Sequence, residues 1–363
     1  MNLLVDARVL DHTHTGIAVF TRELLPHLKG HFSRIGILHK TAGAANYYQH
    51  LGFEWVKCDY SLKDSILGSI LETRRILKTG SWDVFFSPLF FPRVISRSTK
   101  TRCVVMIHDL IYLEEADRLL KYFKLWLATY VGGKKADRIL TVSDYSKSVI
   151  EKKFPSFKGK ISVVCCPLPL SKLTGFDDSV LARLNLAEHR YFLFVSALRK
   201  YKGYEQTIQA FGELDAPNLK LVIVGKPDLW QERKLPEEIL RLSKSHRVIF
   251  TGYISDMELN SLYKNALALV FPSQKEGFGI PVIEAQYHGC PVISTEIETL
   301  KKTAGDGAFY IHDSSPKSIL SAFERLLSDG NLRREIITKG LENCQKYGPN
   351  RICEKIIGKL KNR

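Results

Sequence analysis

The sequence predicts an α/β protein built from two Rossmann-like domains, each a parallel sheet with helices on both faces. Three observations carry this. Short apolar runs alternate with amphipathic ones along most of the chain. The short runs are apolar on successive residues, as strands covered on both faces require. The alternation halts at a proline-bearing passage, CCPLPLSKLTGFDD (Cys165 to Asp178), and then restarts. At 363 residues, 45% hydrophobic and 25% charged, the chain has the length and composition for two buried cores.

In the first half, strands are expected at 3–9, 35–39, 84–87, 103–108, 138–142 and 161–164, with helices at 17–29, 63–77, 119–131 and 145–154. After the break, strands recur at 191–195, 220–224, 247–250, 267–271, 291–294 and 308–311. Helices fall between them at 204–211, 236–244, 256–265 and 280–288, and a helical tail runs from 318. The boundary near 170 gives domains over 1–170 and 171–348, facing each other across a cleft.

The most informative stretch is FPSQKEGFGIPVIEAQYHGCPVIS, from Phe271 to Ser294. A strand feeds a glycine turn, and the turn feeds a helix. Pro281 suits a first helical turn, where its missing N–H is no loss, while Gly277 and Gly279 leave backbone N–H groups unshielded. Free amides and the positive end of the helix dipole then point the same way, which makes an anion site. Glu284 falls one turn inside the helix and Glu276 stays in the loop. An arbitrary pair of glutamates is a solvated surface pair. Beside an anion site the better reading is acceptance of hydrogen bonds from paired hydroxyls, as on a ribose.

This segment resembles the signature of retaining glycosyltransferase family 4: Glu276, seven residues, Glu284, with Gly277-Phe278-Gly279 between and Gly289, Pro291 and Val292 after. The resemblance implies the GT-B architecture, in which a last helix, from about 349 to 363, packs back on the N-terminal, acceptor-binding domain. It implies that Glu276 lies by the donor sugar in a catalytic role. The amides of Gly277, Phe278, Gly279 and Ile280 would meet sugar and diphosphate, and Glu284 would hold the nucleotide ribose.

Other segments fit the same frame. ALRKYKG places Arg199, Lys200 and Lys202 at the carboxyl end of a strand, where open α/β sheets bind ligands. The bland alternative is a solvated basic loop. By resemblance, Lys202 and Arg199 neutralise the donor diphosphate and act in catalysis, Arg199 replacing a family arginine that often stands where this chain has Ala197. Tyr253 and Ile254 follow a strand in a turn that, by resemblance, lies against the nucleotide base. Backbone contacts there serve uracil or guanine alike.

Asp6 and Arg8 end the first strand, and Thr15 and Gly16 precede a helix. That loop resembles the family's early glycine loop, with Gly16 toward the donor phosphates and Thr15 toward the acceptor. His108 and Asp109 close CVVMIHDL and match the family's His-Asp pair, His108 catalytic by the donor sugar and Asp109 toward the acceptor. A lone histidine is more often structural. Ser143 or Asp144 reads as a helix cap.

Absences narrow the chemistry. There is no GxGxxG, Walker loop, HExxH or GxSxG, and no Asp-x-Asp, so neither cofactor nor metal is expected. The cations and the helix N-terminus would take a metal's place against the diphosphate. Seven cysteines without a CxxC pair read as reduced thiols of a cytosolic protein. The start, MNLLVDARVL, lacks a signal-peptide pattern, and no run reaches the length of a membrane span.

The net charge of +15 calls for an acidic partner; residues 1–170 hold 25 Lys+Arg against 15 Asp+Glu, and residues 171–363 hold 28 against 23. Nucleic acid is disfavoured, because the cations cluster at strand ends and stacking motifs are missing. Leu119–Lys135 interleaves aromatics with lysines. It reads either as a packing helix with Leu and Trp inward, or as a surface helix placing Phe123, Trp126 and Tyr130 in an anionic lipid headgroup layer.

The resulting expectation is a retaining, metal-independent hexosyltransferase of cytoplasmic polysaccharide or lipopolysaccharide biosynthesis, peripheral on the inner membrane face. It would move a mannose- or glucose-type sugar from a GDP- or UDP-sugar to a saccharide acceptor, lipid-linked. A nucleotide-sugar epimerase, a phosphorylase and a non-catalytic basic binding protein are the alternatives.

Overall fold

The computed structural model describes residues 1–11, 15–41, 48–60, 66–89, 100–116, 118–225 and 247–362. The chain forms two compact units, one of Met1–Pro167 with Pro349–Arg363 and the other of Leu168–Gly348. The first crossing, at Pro167–Leu168, lies inside the proline-bearing passage, just before residue 170.

The first unit holds an all-parallel sheet in the order β3-β2-β1-β4-β5-β6-β7: β1 (Asn2–Asp6), β2 (Arg34–His39), β3 (Glu54–Lys57), β4 (Val84–Ser87), β5 (Arg102–Met106), β6 (Arg138–Thr141) and β7 (Ile161–Val163). The second unit's parallel sheet runs β10-β9-β8-β11-β12-β13: β8 (Tyr191–Val195), β9 (Lys220–Val224), β10 (Val248–Gly252), β11 (Ala268–Phe271), β12 (Val292–Thr295) and β13 (Phe309–Ile311). In each sheet the chain starts at a central strand, builds outward, then returns to the other side. The reversals, between β1 and β4 and between β8 and β11, are the switch points where such sheets bind ligands at their carboxyl ends. β4, β8, β11 and β12 are buried along their whole length, which explains their unbroken apolar runs.

The strand β3 carries no such run, and the sequence does not suggest it. It is a half-exposed edge strand, laddered to β2 and packed on the core through Val56, with the Arg34 guanidinium on β2 meeting Glu54 through Nε at 2.6 Å and Nη2 at 2.8 Å. The tail from 318 is three helices, Pro316–Ser328, Gly330–Cys344 and Pro349–Lys361, because Asp329 and Gly348 interrupt it. The short helices Ser179–Arg183 and Glu298–Ala304 also escape the sequence pattern. The helix expected at 236–244 lies outside the described residues. So do 63–65, ahead of the helix Ile66–Thr79.

The final helix belongs to the first unit. Its face of Ile352, Cys353, Ile356, Ile357 and Leu360 is buried. Arg102, at the start of β5, donates to the carbonyls of Lys359 at 3.1 Å and Lys361 at 3.4 Å, and also to those of Leu360 and Asn362. A cation on the last carbonyls of a helix satisfies orphan acceptors and opposes the dipole. The seven cysteines are free, and burial pushes the thiols of Cys103, Cys290 and Cys353 up to about 12, which leaves them unreactive. Among the described residues no helix is long and apolar enough to cross a membrane.

Candidate functional site

In the second unit, the loops leaving β8 and β11 flank the switch point, and one glycine lets them meet. Gly203 has φ +76° and starts the helix Tyr204–Glu213; a Cβ there would come within 2.9 Å of the Pro272 carbonyl oxygen in the other loop. The Gln274 N–H donates to the Tyr201 carbonyl at 2.8 Å, tying the loops together. This contact brings the ammonium of Lys202 onto Oε1 of Glu276 as an ion pair, with only 12% and 9% of the two side chains exposed. The same ammonium lies 5.0 Å from the Tyr201 ring centroid and 5.7 Å from that of Phe271.

Glu276 sits on a braced loop. Thr295 Oγ1 donates to the Ser273 carbonyl at 2.5 Å, and Gln274 Nε2 donates to Ser314 Oγ at 2.7 Å. Gly279 has φ +97°, and a Cβ on it would fall 2.7 Å from Leu300, so glycine is required where the helix Ile280–Tyr287 begins. Phe278 is buried edge-on against Tyr347, centroids 5.3 Å apart, and its carbonyl accepts from Thr303 Oγ1 at 2.7 Å. Lys202, Glu276 and the helix N-terminus are thus assembled at the carboxyl ends of the paired strands β8 and β11, with Arg199 exposed on the loop of Lys202.

Glu284 is not a solvated surface glutamate, and protein groups already surround it. It is 2% exposed; Oε2 accepts from the Tyr263 hydroxyl at 3.0 Å, and Oε1 lies 2.5 Å from Lys172 Nζ. It points toward the helix Asp256–Asn265 and the segment after the first crossing, so protein groups already engage it. Burial and the neighbouring carboxylate hold the Tyr263 phenol well above its ordinary pKa, keeping it a donor. Neither Lys172 nor Tyr263 stands in a motif, and no signal in the sequence finds them. Tyr253 is exposed after β10, whereas Ile254 is buried in the apolar core, so only its backbone is offered to a ligand.

In the first unit, Asp6 and Arg8 are not presented outward. Arg8 is wholly buried, its Nε 2.7 Å and its Nη2 2.6 Å from the Asp6 oxygens, with further bonds to Ser69 and Thr73. They brace the start of the loop. Thr15 caps the helix Gly16–His27, accepting from the Ala18 N–H at 3.2 Å, and residues 12–14 lie outside the described residues. His108 is buried, with Nε2 3.1 Å from the Pro88 carbonyl and its ring edge-on to Phe20 of that helix at 5.4 Å. Burial pushes its pKa down to about 4, so at neutral pH the imidazole is uncharged, its Nε2 proton on Pro88. Asp109 accepts from the Ile111 N–H at 2.9 Å, and Ser143 caps its helix through Ser146 at 3.0 Å.

The helix Leu119–Lys135 divides its aromatics. Trp126 and Tyr130 stack at 5.3 Å and pack on Phe154 at 5.8 and 6.3 Å, so one side of each ring lies on the core while the residues stay partly exposed. Leu119, Leu120, Phe123 and Leu127 are exposed beside Lys121 and Lys124.

A family model described as Glycosyltransferase Family 4 matches residues 14–172, and one described as Glycosyl transferases group 1 matches residues 181–343, one in each half of the chain. The chain belongs to the family 4, group 1 glycosyltransferases. This family 4 chain is 32% identical over 227 residues to the serotype-specific mannosyltransferase WbdA of Escherichia coli, covering 59% of the chain and 26% of WbdA. It is 30% identical to the O-antigen chain mannosyltransferase RfbU of Salmonella typhimurium, covering 61% of the chain and 60% of RfbU. The matches thus span less than two thirds of either relative. The crystal structure of Anabaena HepE in complex with UDP superposes with a TM-score of 0.79 at 15% identity, covering 99% of both chains, and has the same GT-B fold.

Proposed function

We propose that this family 4 chain moves a mannose- or glucose-type hexose from a GDP- or UDP-sugar to a lipid-linked saccharide acceptor in polysaccharide biosynthesis, with retention and without a metal. The observation that carries it is the buried Lys202–Glu276 pair beside the glycine turn and helix N-terminus at the β8/β11 switch point. A diphosphate is the ligand able to take Lys202 from Glu276, since it brings two charges and also meets the amides of Gly277–Ile280. Glu276, once released, accepts from the sugar hydroxyls. Arg199 closes on the diphosphate from the exposed side, Tyr253 and the Ile254 backbone meet the base, and Glu284 takes the ribose.

In this reading the bond from C1 to the phosphate oxygen breaks on the face where the acceptor oxygen attacks. The acceptor proton passes to the departing phosphate oxygen, so no protein nucleophile is needed. Neutral His108 orients the sugar as a hydrogen-bonding group, and Gly16, Thr15 and Asp109 border the phosphate and acceptor. The names of WbdA and RfbU support mannose, and the UDP bound by HepE supports a uridine nucleotide.

Thermal-shift titration with GDP, UDP, ADP and their sugars, with and without EDTA, tests this. One base series should stabilise the protein by about 2.7 kcal/mol at a hundred times its dissociation constant. Activity should survive the chelator. No shift with any nucleotide would reject the reading, and loss restored only by divalent metal would reject its metal-free part. Release of free sugar, or dependence on free phosphate, would indicate an epimerase or a phosphorylase.

A lipid-linked acceptor fits the exposed Leu119, Leu120, Phe123 and Leu127 with Lys121 and Lys124, a basic amphipathic face suited to peripheral contact with an anionic bilayer from the cytoplasmic side. Sedimentation with acidic liposomes is expected, and Phe123→Ser should remove its salt-resistant part. Trp126→Ser should instead lower thermal stability, because Trp126 packs on Phe154. Indifference of the parent to acidic lipid at low salt would assign the acceptor to solution.

A further inference from the structure

Neither oxygen of Glu284 has an open face. Oε2 accepts from the Tyr263 hydroxyl, and Oε1 is buried without a hydrogen bond, closed by the Lys172 ammonium as an ion pair. A nucleotide can therefore reach this carboxylate only if one of its two partners moves. Tyr263 is fully buried within a helix, its ring stacked on His288 at 5.9 Å, and cannot swing away. Lys172 is on a long, rotamer-rich side chain that retains 14% exposure.

The backbone under Lys172 is fixed. The Asn260 side-chain amide donates to the carbonyls of Lys172 and Gly175, each at 3.0 Å, and its oxygen lies 3.1 Å from His288 Nε2. Movement is thus confined to the lysine side chain, and the segment that carries it stays in place.

We propose that Lys172 is a displaceable latch on the ribose carboxylate: its ammonium closes Glu284, and the vicinal hydroxyls of a bound nucleotide must displace it. The proposal rests on Glu284 being the ribose acceptor. It assigns to Lys172, a residue outside the signature motif, control over how tightly the nucleoside diphosphate is held and so how readily it leaves after transfer. Each encounter exchanges an internal ion pair for two hydroxyl hydrogen bonds, so the net gain from the ribose is smaller than the hydroxyls alone would supply.

The test is calorimetric titration of UDP and GDP, each against its 2′,3′-dideoxy analogue. Lys172→Met should tighten the ribonucleotide about fivefold, because the hydroxyls no longer have to displace an ammonium, and leave the dideoxy analogue within about twofold. Lys172→Gln, which keeps a polar side chain over the buried carboxylate, should shift the same way and serves if the methionine variant folds poorly. Weaker ribonucleotide binding in both variants, or an equal change for the dideoxy analogue, would overturn the latch. Glu284→Gln separates the two layers. If it keeps full discrimination between ribo- and dideoxy-nucleotides, the ribose assignment and the latch fall together; if discrimination is lost while Lys172→Met weakens binding, only the latch falls.

Discussion

Lys202→Ala is expected to lower turnover about 10²-fold or more, because a fixed cation aimed at a departing diphosphate in a dry site is worth several kcal/mol. The structure adds a second cost. The substitution strips Glu276 of its counter-ion while 9% of that side chain is exposed, so a buried charge is left without a partner at the place where the donor's own negative charge must bind. Arg199→Ala, on the exposed part of the same loop, should lose less, about tenfold, since solvent screens it. Steady-state kinetics on purified variants decide the matter. Activity within about threefold of the parent for Lys202→Ala would remove this loop from the chemistry, whatever the fate of Arg199.

The two glutamates of the signature should separate in a way their spacing does not suggest. Glu276→Ala releases Lys202 for the diphosphate, so nucleotide affinity should hold or improve while turnover falls about 10²-fold, through contacts that matter as the sugar bond breaks. Glu284→Ala should weaken nucleotide binding and also destabilise the protein by about 3 kcal/mol, because Lys172 and the buried Tyr263 hydroxyl both lose their partner. Denaturant unfolding and calorimetry on the same preparations read both quantities. Equal losses of affinity with unchanged stability in the two variants would contradict the division of roles.

The fold was legible wherever burial was symmetric. Strands covered on both faces write unbroken apolar runs, and β4, β8 and β9 have the bounds those runs imply. β3 was not legible, since a half-exposed edge strand of four residues leaves no apolar run. At the candidate site, whatever depended on local chain geometry could be read: the glycine turn, the helix start behind Gly279, and the basic loop before Gly203. Contacts between segments far apart in sequence could not. Lys172 is more than a hundred residues from Glu284, and the pairing of Lys202 with Glu276 follows from no spacing.

The return of the last helix to the first unit sets an order on synthesis. Most of the first unit leaves the ribosome early, yet the surface of β4 and the helix Gly16–His27 that the residues from Pro349 onward cover stays bare until the whole of Leu168–Gly348 has followed. At about 5–20 residues per second that interval is on the order of tens of seconds. For that time the carbonyls of Lys359 to Asn362 that meet the Arg102 guanidinium are not yet made, and an apolar strip waits for Ile352, Ile356 and Leu360. The domain begun first is therefore the one closed last, and a nascent chain halted within the second unit would present that strip to chaperones and proteases.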